Sequence, residues 1–312
     1  MAKDRLRSDY RVHFRRKQII HIAMLILLVA IIFSLGVLLY FNWRSKLGDE
    51  QAEFVQLWEA GSYEKVYRLS GERLFDNPME CSLLSLRGFS AYQLALSQIN
   101  NSEMLGYIDE CIWSLRKALL SKGGGNDGGI FYVLGKAYYY KGSGYTDLAI
   151  KFLEAARKEA YEAWDIPEYL GLAYAGVQDY RRSVASFSLA LNHAGHPSDL
   201  LLLSIARSYI ELGEGDTARA YLVRCVEVSK DSNNRARARL LLGDVLVKAG
   251  DLKGAEDQYL AIINEGNENA EAHYQLGELY NAGGDTAKAR AEWRKAVRID
   301  PAYGPARARL NL

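Results

Sequence analysis

The chain has 312 residues, 49% of them hydrophobic, with only five prolines and a net charge of +1. It holds enough apolar material for a sizeable core and few helix breakers. The charge is uneven: residues 1–43 carry seven Lys and Arg against two Asp, a net of +5, and the near-neutral remainder lacks the basic stripe that nucleic-acid binding by phosphate neutralisation needs.

The first element is an apolar run from Ile19 to Phe41, 23 residues without a formal charge when His21 is neutral. As a helix it is about 34 Å long, against a hydrocarbon core of ~30 Å. Sixteen of its residues are Leu, Ile, Val or Phe, and Tyr40 and Trp43 suit the aromatic belt at its far end. Lys3, Arg5, Arg7, Arg11, Arg15, Arg16 and Lys17 precede it, whereas Arg44, Lys46, Asp49, Glu50 and Glu53 follow. The bias of basic residues predicts a cytoplasmic N-terminus and places everything after Trp43 across the membrane. A cleaved signal peptide fits less well, because the apolar run exceeds a usual signal core and Ser34-Leu35-Gly36 lies inside it.

Beyond the apolar run the sequence repeats. Leu276-Gly277, Tyr280, Gly284-Asp285, Ala289, Trp293 and Ala296 recur 34 residues earlier as Leu242-Gly243, Leu246, Gly250-Asp251, Ala255, Tyr259 and Ile262. Earlier copies are Ile205-Ala206, Tyr209, Gly213, Ala218, Leu222 and Cys225; Leu170-Gly171, Tyr174, Ser183, Phe187 and Ala190; and Leu134-Gly135, Tyr138, Gly142, Ala149, Leu153 and Ala156. The small residue after the leucine or isoleucine returns at intervals of 36, 35, 37 and 34 residues. Two weaker copies come first. One has Leu57, Gly61, Tyr63, Val66 and an Asp76-Asn77-Pro78 ending; the other has Tyr92, Cys111, Leu115 and Ala118, with about ten extra residues around Ser97–Gly106.

This pattern resembles the tetratricopeptide repeat family, whose copies carry Leu-Gly at positions 7–8, Tyr at 11, Ala at 20, a large residue at 24 and Ala at 27. Phe131 stands at position 4 of the third repeat, and Pro301 at position 32 of the last. The resemblance implies an α-solenoid of about seven helical hairpins, which with the transmembrane helix before it gives an all-α fold. The expected organisation is a basic cytoplasmic tail at 1–18, a transmembrane helix at 19–43, repeats over 44–303 and a short cap at 304–312. The repeats fall near 47–80, 82–125, 128–163, 164–198, 199–235, 236–269 and 270–303. Each hairpin hides its apolar face only by stacking on its neighbours. The run Gly123–Gly129 reads as a flexible joint, since no Gly-Lys-Ser/Thr follows to make it a phosphate cradle. Gly142–Tyr145 reads as a two-residue insertion in a hairpin turn.

Little chemistry is legible. His193 and His196 stand i, i+3 near Asp199, without the further ligands that a metal site requires, and His273 sits at repeat position 4, a packing position. Cys81, Cys111 and Cys225 form no Cys-x-x-Cys; small buried thiols are expected, with a Cys81–Cys111 disulfide left open. No catalytic, metal or cofactor residue is nominated, and the chain is read as a non-enzyme without cofactor or small-molecule substrate.

In the family the first helix of each hairpin lines a concave face through positions 2, 5, 9, 12 and 13. Carried over, these give Tyr132, Lys136, Tyr139, Tyr140, Glu168, Arg207, Arg237, Asp244, Lys248, Tyr274 and Glu278 as candidate protein-binding residues, with Asp165, Leu172, Leu203, Ile210 and Asn281 beside them. The tyrosines around Lys136 are the favoured patch, because Tyr gives large contact area at low entropy cost; internal packing is the competing reading. The carboxylate clamp of chaperone-binding members is not matched: position 5 reads Tyr132, Glu168, Leu203, Leu240, Tyr274, and position 9 reads Lys136, Leu172, Arg207, Asp244, Glu278.

The expected function is a single-pass scaffold in a bacterial inner membrane, with periplasmic repeats that bind protein partners, as a homo-oligomer or within a large envelope complex. It resembles anchored repeat proteins of bacterial envelope machines. The Tyr-rich third repeat is similar to spirochete envelope proteins, including those around the periplasmic flagellar motor. The alternatives are a targeting receptor with cytosolic repeats, or an accessory factor that positions an enzyme partner.

Overall fold

The computed structural model describes residues 51–193, 197–266 and 268–312. The proposed basic tail and membrane segment, residues 1–43, lie outside the described residues, as does His196. No described helix is long and apolar enough to cross a membrane. The described residues are helical throughout, with no strand among them.

The chain divides into two compact units, one ending at Leu69 and the other running from Ser70 to Leu312. In the first, α1 (residues 51–59) and the start of α2 (Tyr63–Leu74) flank the Gly61 turn. Trp58 packs edge-on against Tyr63 at 5.0 Å between ring centroids, and Phe54 and Val66 are buried.

The second unit holds six hairpins in chain order: α3 (Cys81–Ser97) with α4 (Asn101–Leu120), α5 (Gly128–Lys141) with α6 (Thr146–Lys158), and α7 (Ile166–Gly176) with α8 (Tyr180–His193). Then come α9 (Asp199–Glu211) with α10 (Gly215–Val228), α11 (Ser232–Lys248) with α12 (Leu252–Asn264), and α13 (Ala270–Ala282) with α14 (Thr286–Ile299). A last short helix, α15 (Gly304–Leu310), follows. Each helix packs on the next, and first helices also touch across hairpins: α3 on α5, α5 on α7, α7 on α9 and α9 on α11.

The sequence starts these helices with polar caps. Asn100, Asp127, Ser198, Asp231, Asp251, Asn269 and Asp285 each accept a hydrogen bond from a backbone N–H in the first turn of the helix that follows. Each such cap is worth about 1 kcal/mol. The second repeat holds the insertion expected around Ser97–Gly106. Its extra residues lengthen α3 to 17 and α4 to 20 residues, and Gly106 lies within α4.

The recurring glycines explain how the paired helices approach. A Cβ on Gly135 would stand 2.6 Å from the Leu153 side chain, on Gly171 2.5 Å from Phe187, on Gly243 2.4 Å from Tyr259 and on Gly277 2.5 Å from Trp293. The partner at repeat position 24 therefore lies directly over the backbone of the facing helix, and all four are buried. Gly88 meets Leu115 in the same way at 2.5 Å, a pairing that the sequence spacing hid because the lengthened helices separate the two residues. In the α9–α10 hairpin Ala206 holds the glycine position, and Leu222, a smaller side chain than Tyr or Trp, lies in the same core cluster.

Polar residues also pin hairpin to hairpin. The Ser183 hydroxyl bonds the Gly171 carbonyl at 2.9 Å and pairs with the Ser208 hydroxyl of the next hairpin at 3.0 Å. The Gly123–Gly129 segment is more than a joint. A Cβ on Gly124 would lie 2.0 Å from the Ala118 carbonyl oxygen, and Asp127 caps α5. The Gly142–Tyr145 segment contains a 3₁₀ turn at Ser143–Tyr145. All three cysteines are free thiols: Cys111 and Cys225 are buried, and Cys81 partly so.

The final helix closes the last core. Ala306 is fully buried with Ala289, Trp293 and Ala296, while Tyr303 and Leu310 pack around them. Deleting residues 304–312 is expected to speed amide hydrogen exchange in α13 and α14 and to leave α5 to α8 unchanged, since stability in stacked repeats is a nearest-neighbour property. Equal acceleration throughout would contradict this.

Candidate partner-binding face

The favoured patch forms where α5 and α7 lie side by side. The Lys136 ammonium donates to Asp165 Oδ2 at 2.7 Å and to the Tyr132 hydroxyl at 3.0 Å. That hydroxyl in turn donates to the Asp165 carboxylate at 2.9 Å. Lys136 lies 4.4 Å from the centre of the Tyr169 ring, 5.0 Å from Tyr132 and 5.8 Å from Tyr92. Lysine and aspartate are both buried, at 9% and 8% exposure. Lys136 is thus held inside the stack, and internal packing accounts for its position. The rings of Tyr132, Tyr139, Tyr140 and Tyr169 around it are partly exposed.

Those rings form a continuous cluster. Tyr139 packs edge-on against Tyr140 and Tyr169, and the Tyr140 and Tyr169 hydroxyls share a hydrogen bond of 2.9 Å. Tyr161, in the turn before α7, packs on Tyr132 at 5.3 Å. Burial raises the pKa of Tyr92, Tyr132, Tyr139 and Tyr169, so all stay neutral donors at physiological pH. The Tyr92 hydroxyl is buried and has no hydrogen-bond partner among the described residues. Glu168 borders the cluster half-buried, and its carboxyl pKa is raised by burial first and by Asp165 second. Tyr92, Tyr161 and Tyr169 were not nominated from the sequence, because the family positions skip them. Tyrosine richness around the third and fourth repeats is the signal that points to them.

The other candidates spread along the later first helices. Arg207, Arg237 and Lys248 are exposed. Glu278 is held by Arg309 of α15, whose Nε donates to it at 2.9 Å, so it braces the cap and is not free to meet a partner. Tyr274 packs edge-on against Tyr303 at 5.7 Å, and the Tyr303 pKa is pushed up to about 12, by burial first and Glu271 next. Asp244 accepts the Tyr259 hydroxyl at 2.9 Å. Burial nevertheless holds the Asp244 pKa above the usual carboxylate range, outweighing that bond and the nearby Lys248.

A carboxyl whose pKa rises on folding weakens the fold once it ionises, and the cost vanishes below its unfolded pKa. Asp244→Asn keeps the acceptor for Tyr259 and removes the charge. Urea denaturation is expected to show the variant more stable than the parent at neutral pH, with the gap closing as pH falls through the raised pKa. A gap that widens on acidification would contradict the assignment.

His273 and Asp199 are held by neighbouring side chains. His273 Nδ1 lies 2.6 Å from Glu292 Oε2, and Lys295 donates to the other oxygen at 2.7 Å. Asp199 accepts from Ser229 at 2.7 Å and from Asn234 at 3.2 Å, and its pKa is lowered, chiefly by the Ser229 bond. No group of three metal-ligating side chains occurs among the described residues.

Comparison with known proteins decides the architecture. Residues 203–270 and 270–303 match models of the tetratricopeptide repeat. Residues 203–303 carry tetratricopeptide repeats. The C-terminal part of a TPR repeat-containing protein from Cytophaga hutchinsonii superposes on this chain with a TM-score of 0.62 at 15% identity, covering 83% of this chain and 98% of that one. YrrB, a TPR protein with an unusual peptide-binding site, gives 0.50 at 23% identity, covering 64% and 98%. At these identities the likeness establishes the fold alone. The CTR9 homolog of Arabidopsis thaliana is 30% identical over 118 residues, which is 36% of this chain and 10% of that protein. The chain therefore spans about a tenth of that relative's length.

Proposed function

We propose that this chain is a membrane-anchored tetratricopeptide scaffold that holds protein partners and performs no catalysis of its own. The observation that carries the reading is the match of residues 203–303 to tetratricopeptide repeats, joined to the unbroken hairpin packing from α3 to α14. The face formed by the first helices, with its tyrosine cluster and the exposed Arg207, Arg237 and Lys248, is where a partner segment lies. The peptide-binding site of YrrB, on a similar fold, supports this choice of ligand class.

The apolar run at residues 19–41 and its basic flank support a single-pass anchor, with the repeats in a bacterial periplasm and the scaffold serving an envelope complex of the flagellar-motor kind. Two experiments test these parts separately. Photo-crosslinkers at Arg207 and Lys248 on first helices should capture a shared partner, whereas crosslinkers at the exposed Val223 and Arg224 of α10 should not. Capture from α10 alone would overturn the choice of face. Protease added to intact spheroplasts should degrade the repeats; repeats that survive until lysis would reverse the topology and favour a cytosolic receptor.

A further inference from the structure

A cavity of about 440 Å³ lies where the end of α2 meets α3 and α4. Leu74 and Phe75 at the end of α2, Leu84 of α3 and Trp113 of α4 form its apolar wall, and Arg87, Glu110 and Lys117 its polar side. Phe75 is 89% exposed and Trp113 55% exposed. Two large aromatic side chains thus flank a cavity in the size range of ligand sites and have no cover among the described residues.

The charges around it are unequal. Arg87 Nε bonds Glu110 at 2.6 Å, and Glu110 also accepts the Ser114 hydroxyl at 3.2 Å. Glu110 is therefore committed. Gly71 leaves room for this arrangement, since a Cβ there would stand 2.0 Å from an Arg87 guanidinium nitrogen. Lys117 is different. Its ammonium lies 4.8 Å over the Trp113 ring, and no carboxylate pairs with it among the described residues. The cavity thus presents an open aromatic wall beside an unmatched cation.

We propose that this cavity takes a large apolar side chain and an adjacent carboxylate from a partner protein, an aromatic or aliphatic residue next to Asp or Glu. The apolar side chain fills the space between Phe75 and Trp113, and the carboxylate meets Lys117. The cavity shares no lining residue with the tyrosine cluster or with Arg207, Arg237 and Lys248, so either reading can fail without the other.

The test uses the full chain and two fluorinated probes, N-acetyl-Glu-(4-fluoro)Phe-amide and N-acetyl-Lys-(4-fluoro)Phe-amide, followed by fluorine NMR. The Glu probe should bind about tenfold more tightly than the Lys probe. Lys117→Glu should invert that order, and Trp113→Ala should abolish binding of both while circular dichroism stays unchanged. Equal affinity of the two probes, or binding indifferent to Trp113→Ala, overturns the proposal. Failure of both probes also overturns it. If Trp113→Ala then changes the sedimentation coefficient, a second copy of this chain covers the cavity; if not, residues 1–50 are the remaining candidate.

Discussion

Gly243→Val is expected to lower the unfolding free energy by about 3 kcal/mol, the upper end for overpacking a core. The first added carbon alone would stand 2.4 Å from Tyr259 Cε1 and 2.8 Å from its hydroxyl oxygen. The ring has little freedom to retreat. It is 1% exposed, and its hydroxyl is tied to Asp244 at 2.9 Å. The α9–α10 hairpin indicates the compensation, because Ala206 there accompanies Leu222 in place of a Gly and Tyr pair. Gly243→Ala combined with Tyr259→Leu should therefore lose less than the two single changes summed, by at least about 1 kcal/mol in a double-mutant cycle. An unchanged urea midpoint for Gly243→Val would mean that the two helices can separate freely, and the packing argument would fail.

Lys136→Ala should cost about 3–5 kcal/mol, since it leaves the Asp165 carboxylate buried without its cation. Both side chains are only 11% exposed, and their 2.7 Å ion pair joins two successive hairpins. Lys136→Met with Asp165→Asn removes both charges and still offers Tyr132 an acceptor, so most of the loss should return. Thermal and chemical denaturation of the three proteins measures this. A single variant that loses less than about 1 kcal/mol would show that water reaches the pair and screens it.

Much of the fold was legible because its main constraint is written in residue size. A glycine or alanine facing a bulky partner sixteen to eighteen residues later marks a helix–helix contact, and five copies show it. The copy at Gly88 and Leu115 escaped because lengthened helices altered the spacing without altering the contact. Glycine composition suggested looseness at residues 123–129, whereas Gly124 is needed for close packing against Ala118. The candidate face was harder to read. Repeat position gives a residue's place on a helix but not its partner. Lys136 met Asp165 and Glu278 met Arg309, pairings between separate elements that spacing does not encode. The cavity beside Trp113 had no motif at all, because residues from three helices create it.

The packing of each hairpin mainly on its immediate neighbours has a mechanical corollary. A globule with one shared core resists pulling until it fails as a whole. Here a tug on the two ends of the second unit loads a series of separate contacts, each yielding at its own modest force. Stretching in an optical trap should give a sawtooth of small extensions, reversible on relaxation. Such a tether extends under load and shortens again as its links refold, which suits a part that must stay attached while the structures at its ends move.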